Sequence, residues 1–152
     1  MREEELLKVK DLSFTYEEEP VLKNISLTVR HGEKIAVMGS NGAGKSTFFL
    51  NLNGVLKPDA GEIFLNGRKI GKKDMGLLRR QVGFVFQDAD SQIIASNVRA
   101  EISFGPMNLG LDRAEVIRRV DSAVSYLQLE ELQKRAPHYL SGGEKKRVSI
   151  AR

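Results

Sequence analysis

Eight consecutive residues of this 152-residue chain are of types that handle phosphate: Gly39, Ser40, Asn41, Gly42, Ala43, Gly44, Lys45 and Ser46. They satisfy G-x-x-x-x-G-K-[ST], the pattern of a phosphate-binding P-loop. Glycines let the backbone curl until successive N–H groups face one concavity. A helix starting there adds partial positive charge. Lys45 is then placed to reach β- and γ-phosphates and the Ser46 hydroxyl to coordinate Mg²⁺, with Thr47 closing the set of candidate nucleotide-binding residues. The bland alternative is a glycine-rich turn that holds nothing.

A second cluster, Leu140-Ser141-Gly142-Gly143-Glu144, again sets glycines after a hydroxyl at a helix start. Such a turn is another nest of backbone N–H groups. The chain already has a phosphate cradle, so one explanation is that Ser141, Gly142 and Gly143 serve a nucleotide held by another chain.

Positioning these loops requires strands and helices on either side. Leu7, Val9, then Leu12, Phe14 and Tyr16 alternate with a slip at Asp11, which predicts a strand with a bulge or a break there. Ile25, Leu27 and Val29 alternate with polar neighbours, as a half-buried strand does. Residues 34–38 and 82–86 are short apolar runs of the kind buried on both sheet faces. Phe48, Leu52, Val55 and Leu56 fall at helical spacing, predicting a helix over 45–57 that stops near Pro58 and Gly61. Asn66-Gly67 is a strong hairpin signal because both residues tolerate φ > 0. Residues 71–80 read as a loop with a short helical turn. A helix follows over 96–110. Asp112 with Glu115 opens another, striped by Val116, Val120, Val124 and Leu127, and Ser141 with Glu144 opens a third.

Composition narrows the class. Apolar residues make up 41% and charged residues 29%, an ordinary globular balance. There is no cysteine, which excludes disulfides and thiolate metal sites. Two histidines, His31 and His138, are too few for a zinc centre. The apolar runs are far too short to cross a bilayer, and the acidic start "MREEELLKVK" has no signal-peptide core. Any membrane link is therefore expected to come through a partner. Net charge is +4, with an acidic start and a basic "EKKR" at 144–147. A solvated surface accounts for it more simply than nucleic acid, because no basic residues interleave with aromatics.

With these motifs in order, the chain resembles the ATP-binding cassette (ABC) ATPases. The likeness rests on the P-loop at 39–46, on Gln87 ending "VGFVFQ", and on "LSGGEKKRVSIAR" at 140–152. It implies a mixed α/β P-loop NTPase fold with an antiparallel β layer from residues 1–33 and 61–71, a partial RecA-like core, and a helical subdomain. The corresponding division is 1–94, 95–140 and a signature helix at 141–152. The resemblance also implies that Tyr16 stacks on adenine, that Gln87 contacts Mg²⁺ or the attacking water, and that ATP and Mg²⁺ are the cofactors. An aromatic at a strand end and a polar residue capping a strand are the plain alternatives for Tyr16 and Gln87.

Residues 86–111, "FQDADSQIIASNVRAEISFGPMNLGL", look like the energy-coupling-factor and cobalt/nickel-type importer ATPases. Such ATPases pair as homo- or heterodimers beneath a membrane coupling protein with a substrate-capture subunit, on the cytoplasmic face of the membrane, and import metal ions or vitamins. An ABC module working in DNA repair or translation, or a nucleotide-binding-only chain, is the alternative. One departure stands out: the family's Walker B strand with its Asp-Glu should follow "SIAR", and the final helix has no stop signal. The expectation is a chain interrupted before Walker B, without its general base, that turns over no ATP above background.

Overall fold

The computed structural model describes residues 5–88 and 92–152. Residues 89–91, inside the acidic stretch that follows Gln87, lie outside the described residues. The chain forms two compact units, Met1–Phe84 and Val85–Arg152.

The first unit is built on an antiparallel sheet. Its strands are β1 (Glu5–Tyr16), β2 (Glu19–Arg30), β3 (Ala60–Leu65) and β4 (Arg68–Lys69), in the order β2-β1-β3-β4. The slip at Asp11 is a bulge: Asp11 has φ 48, and the register against β2 shifts between Val9 and Leu12. The extra residue changes the parity of the buried face from Leu7 and Val9 to Leu12 and Phe14. Gly61 packs on this bulge, where a Cβ would lie 2.6 Å from the Asp11 carbonyl oxygen and Leu12 Cα. No other residue fits there. Asn66 and Gly67, at φ 50 and 75, turn β3 into β4 as the dipeptide predicts.

Two helices cover the sheet core. Helix α1 (Lys45–Leu52) contributes Phe48 and Leu52, and α2 (Met75–Gln81) contributes Leu78. Leu12 and Leu78 are wholly buried, each contributing about 1.5–3 kcal/mol by burial.

Helix α1 ends five residues before the predicted position 57. Gly54 takes the left-handed conformation at φ 74, its N–H donates to Asn51 O at 3.2 Å, and the Val55 N–H donates to Leu50 O at 3.0 Å. That pair of bonds is a Schellman stop. Val55 and Leu56 continue the helical spacing in the sequence although the chain has already turned at Gly54.

The predicted core strands at 34–38 and 82–86 are not formed. Neither pairs with another strand among the described residues. Burial fails with the pairing: Ile35 is 40% exposed, Met38 89% and Phe86 43%. A doubly buried strand needs a neighbour on each edge and a layer on each face. The described sheet supplies neither to these runs.

The second unit packs α3 (Val98–Asn108), α4 (Arg113–Tyr126) and α5 (Gly142–Ala151) around Val98, Ile102, Val120, Val124, Leu129 and Val148. The predicted caps set two of the starts. The Asp112 side chain accepts from Glu115 N at 3.0 Å, and Ser141 caps α5. No helix among the described residues is long and apolar enough to cross a membrane.

Candidate functional site

Residues 39–47 of the first unit form a loop running directly into α1. Gly42 and Gly44 are left-handed at φ 81 and 84, and Ala43 N donates to Ser40 O at 3.2 Å. Gly44 is the N-cap of α1 and offers no side chain to cap it. Helical bonding begins with Phe48 N donating to Gly44 O at 2.8 Å. Among the described residues, the amides of Lys45, Ser46 and Thr47 therefore have no acceptor. These three donors, added to the helix dipole, suit an anion.

Lys45 folds back over the loop, its ammonium donating to Gly39 O at 2.8 Å and Ser40 O at 2.6 Å. A phosphate oxygen, being charged, is the stronger partner for the same donors. Ser46 is exposed at the second position of α1, while Thr47 is buried beneath. An apolar hollow lies beside the loop, lined by Leu22, Leu27, Val37, Gly44, Lys45 and Phe48 among others. Tyr16 ends β1, half-exposed, with its ring edge-on to Phe14 at 4.8 Å. Among the described residues, no hydrogen bond joins Tyr16 to the loop.

In the second unit, Ser141 and Glu144 make a reciprocal capping box. Ser141 N and Ser141 Oγ both donate to Glu144 Oε2 at 2.7 Å, and Glu144 N donates to Ser141 Oγ at 3.3 Å. The bond from the Ser141 hydroxyl, then that from its amide, holds the Glu144 carboxyl below its ordinary pKa. Gly142 and Gly143 open α5, and a Cβ on either would meet nothing.

Gln87 is exposed, and its main chain is anchored to α5: the Lys146 ammonium donates to Phe86 O at 2.9 Å and Gln87 O at 3.0 Å. Arg147 donates to Leu127 O and Gln128 O at 3.0 and 3.1 Å, tying α5 to the end of α4. Arg152 donates to Gln92 O and lies 2.9 Å from Glu101 Oε1. Glu101 is wholly buried on α3, and its Oε2 accepts from Ile94 N at 2.9 Å and Ala95 N at 2.7 Å. The basic run thus serves backbone carbonyls rather than only solvent.

Neither Lys146 nor Glu101 stood out in the sequence as a functional candidate. Glu101 did leave a trace there, an acid between Val98 and Ile102 on the buried face of a helix. Lys146 left none, because its partners lie 59 and 60 residues away.

Among the described residues, no cluster of three or more His, Cys, Asp or Glu side chains is arranged to hold a metal ion. The Ser46 hydroxyl and the Gln87 amide oxygen are hard oxygen donors of the type Mg²⁺ takes alongside phosphate oxygens.

Comparison with known proteins agrees with this geometry. The Energy-coupling factor transporter ATP-binding protein EcfA of Methanothermobacter thermautotrophicus is 47% identical over 149 residues, 96% of this chain and 48% of that protein. Its namesake from Methanocaldococcus jannaschii is 46% identical over 149 residues, 96% of this chain and 53% of that protein. The chain spans about half the length of the curated relatives it matches. Among solved structures, cbiO1 from Clostridium perfringens, described as part of the ABC transporter complex cbiONQ, superposes with TM-score 0.85 at 41% identity, over 98% of this chain and 61% of that one. The ATP-binding cassette MJ0796, solved as a dimer in a post-hydrolysis state bound to ADP and Pi, superposes with TM-score 0.80 at 28% identity, over 96% of this chain and 68% of that one. The match to the family described as ABC transporter runs from residue 22 to residue 152, and this chain belongs to that family.

Proposed function

We propose that this chain is the nucleotide-binding part of the ATP-hydrolysing subunit of an energy-coupling-factor-type importer, with no turnover of its own above background, working on the cytoplasmic face of the membrane as a peripheral protein. The observation that carries the reading is identity of 46–47% over 96% of the chain with proteins named as energy-coupling factor ATP-binding proteins. The loop geometry supports it from the chemical side. In this reading residues 1–94 carry the β layer and nucleotide core, 95–140 the helical subdomain and 141–152 the signature helix.

Lys45 and the amides of residues 39–47 bind the β- and γ-phosphates of ATP, and Tyr16 offers a ring face to adenine. Ser46 and Gln87 would hold Mg²⁺, which when bound neutralises phosphate charge. The Gln87 amide orients the attacking water without itself becoming charged. Ser141, Gly142 and Gly143 of a second ATPase copy, identical or homologous, donate to the γ-phosphate. Loss of that phosphate removes the charge that holds the pair, and the pair reopens. Partners are a transmembrane coupling protein and a substrate-capture subunit, and the cargo is a metal ion or a vitamin.

Titration with a fluorescent ATP analogue tests the reading. The chain binds it, and Lys45→Ala weakens binding at least about tenfold while leaving the circular-dichroism melt unchanged. No binding by the unaltered chain contradicts the proposal. Co-purification with nucleic acid in place of membrane protein contradicts the importer role.

A further inference from the structure

We propose that Lys146 is a positioning residue: it sets the direction of Gln87 and couples that glutamine to the signature turn on its own helix. The inference rests on the reading above, in which Gln87 and Ser141–Gly143 serve nucleotide.

The argument starts from which carbonyls are held. Phe86 O belongs to the peptide plane before the Gln87 Cα, and Gln87 O to the plane after it. Lys146 binds both, at 2.9 and 3.0 Å. One ammonium has three donors and no directional preference of its own, so it can draw two successive carbonyls to a point. Fixing both planes fixes φ and ψ of the residue between them. The direction in which the Gln87 side chain leaves the backbone follows.

The same ammonium rides on α5, five positions after the Ser141 cap. Further along, Arg152 holds Gln92 O and the buried Glu101 carboxylate, which in turn holds the amides of Ile94 and Ala95. Helix α5 therefore grips the chain on both sides of residues 88–91. Arg147 fastens α5 to the C-terminal end of α4. Arg147 and Arg152 seat the helix, and of these three basic residues it is Lys146 that touches the backbone of Gln87 itself. A shift of the Gln87 segment is thus passed to the Ser141 turn through one helix rather than through a chain of soft contacts.

The test separates nucleotide binding from nucleotide-driven pairing in the full chain. Binding is read with a fluorescent ATP analogue, and pairing by sedimentation with Mg²⁺ and a non-cleavable ATP analogue. Lys146→Met is expected to leave affinity within about twofold and to weaken pairing about tenfold, the scale of a hydrogen bond to a charged group. Lys146→Arg, which keeps the cation, restores pairing. Equal pairing by Lys146→Met and the unaltered chain overturns the inference and leaves the proposed function standing. Loss of both binding and fold in Lys146→Met, or no rescue by Lys146→Arg, also overturns it. An unaltered chain that neither binds nor pairs overturns the proposed function and this inference together.

Discussion

The starts of helices α1 and α5 are capped in opposite ways. Helix α1 begins at Gly44, which caps nothing, and its first-turn amides have no acceptor among the described residues. Helix α5 begins at Ser141, whose amide and hydroxyl are both held by the Glu144 carboxylate. The first turn has a lysine folded over it, while the second has its cap residue held by a carboxylate of its own; among the described residues the Gly142 and Gly143 amides have no acceptor either. An uncapped helix start with a lysine folded over it is suited to hold a polyphosphate steadily. At the capped start an outside phosphate would meet the Glu144 carboxylate beside Ser141, so that start attracts an anion less strongly. Under the proposed function, the first start holds nucleotide and the second closes on it.

The largest effect should come from the anchor of α5. Glu101→Ala leaves Arg152 without its buried carboxylate and frees the amides of Ile94 and Ala95, a loss of about 3–5 kcal/mol for a broken buried pair. Hydrogen exchange should quicken across 92–108 and 142–152 while residues 39–52 keep their protection. Equal loosening of both helix starts would break the contrast. Next is Gly44→Ala. At φ 84 an added Cβ costs about 1–2 kcal/mol in backbone strain. It would also stand 3.0 Å from Leu22 Cδ2 and 3.2 Å from Val21 O. Thermal melts should fall and analogue binding weaken, whereas Gly142→Ala, with nothing near its Cβ, should leave the melt nearly unchanged.

Smaller still is Ser141→Ala, which removes a cap worth about 1 kcal/mol and should lower the melting temperature by about 2–4 °C for a chain of this size. Fluorescent nucleotide should bind as before, since the other turn is untouched. Acid sharpens the contrast further. The Glu144 carboxyl is lowered by Ser141, so its stabilising effect is present above the ordinary carboxylate pKa and is lost as pH falls through the lowered folded value. Glu115, held by Arg118 and Arg119 at about 2, behaves the same way between 4.5 and about 2. An acid titration followed by amide exchange should therefore loosen the starts of α4 and α5 before α1. Glu144→Gln keeps the capping geometry and should erase the α5 step.

Signals that act within three or four residues were legible in the sequence. Asp112 with Glu115 and Ser141 with Glu144 form the caps their spacing predicts, and of the bulge or break that the parity slip at Asp11 predicts, the structure has the bulge. Asn66-Gly67 turned as expected because left-handed backbone is a property of the residues themselves. The apolar runs 34–38 and 82–86 failed differently. Hydrophobicity states what would gain from burial and is silent on what covers it. The end of α1 was overrun because Val55 and Leu56 keep helical spacing after Gly54 has already turned the chain. Charge at 145–147 was visible, but the carbonyls that Lys146 and Arg147 hold lie far away in sequence and carry no residue-type signature.

The central claim is that the amides of residues 39–47 close around a triphosphate. Selective ¹⁵N-glycine labelling tests it directly, because Gly39, Gly42 and Gly44 report on that loop and Gly142 and Gly143 on the capped turn. With Mg²⁺ and a non-cleavable ATP analogue, the three loop resonances should shift and saturate with nucleotide, while the two from the capped turn should shift only as chains pair. Loop resonances that stay in place at saturating nucleotide would contradict the account.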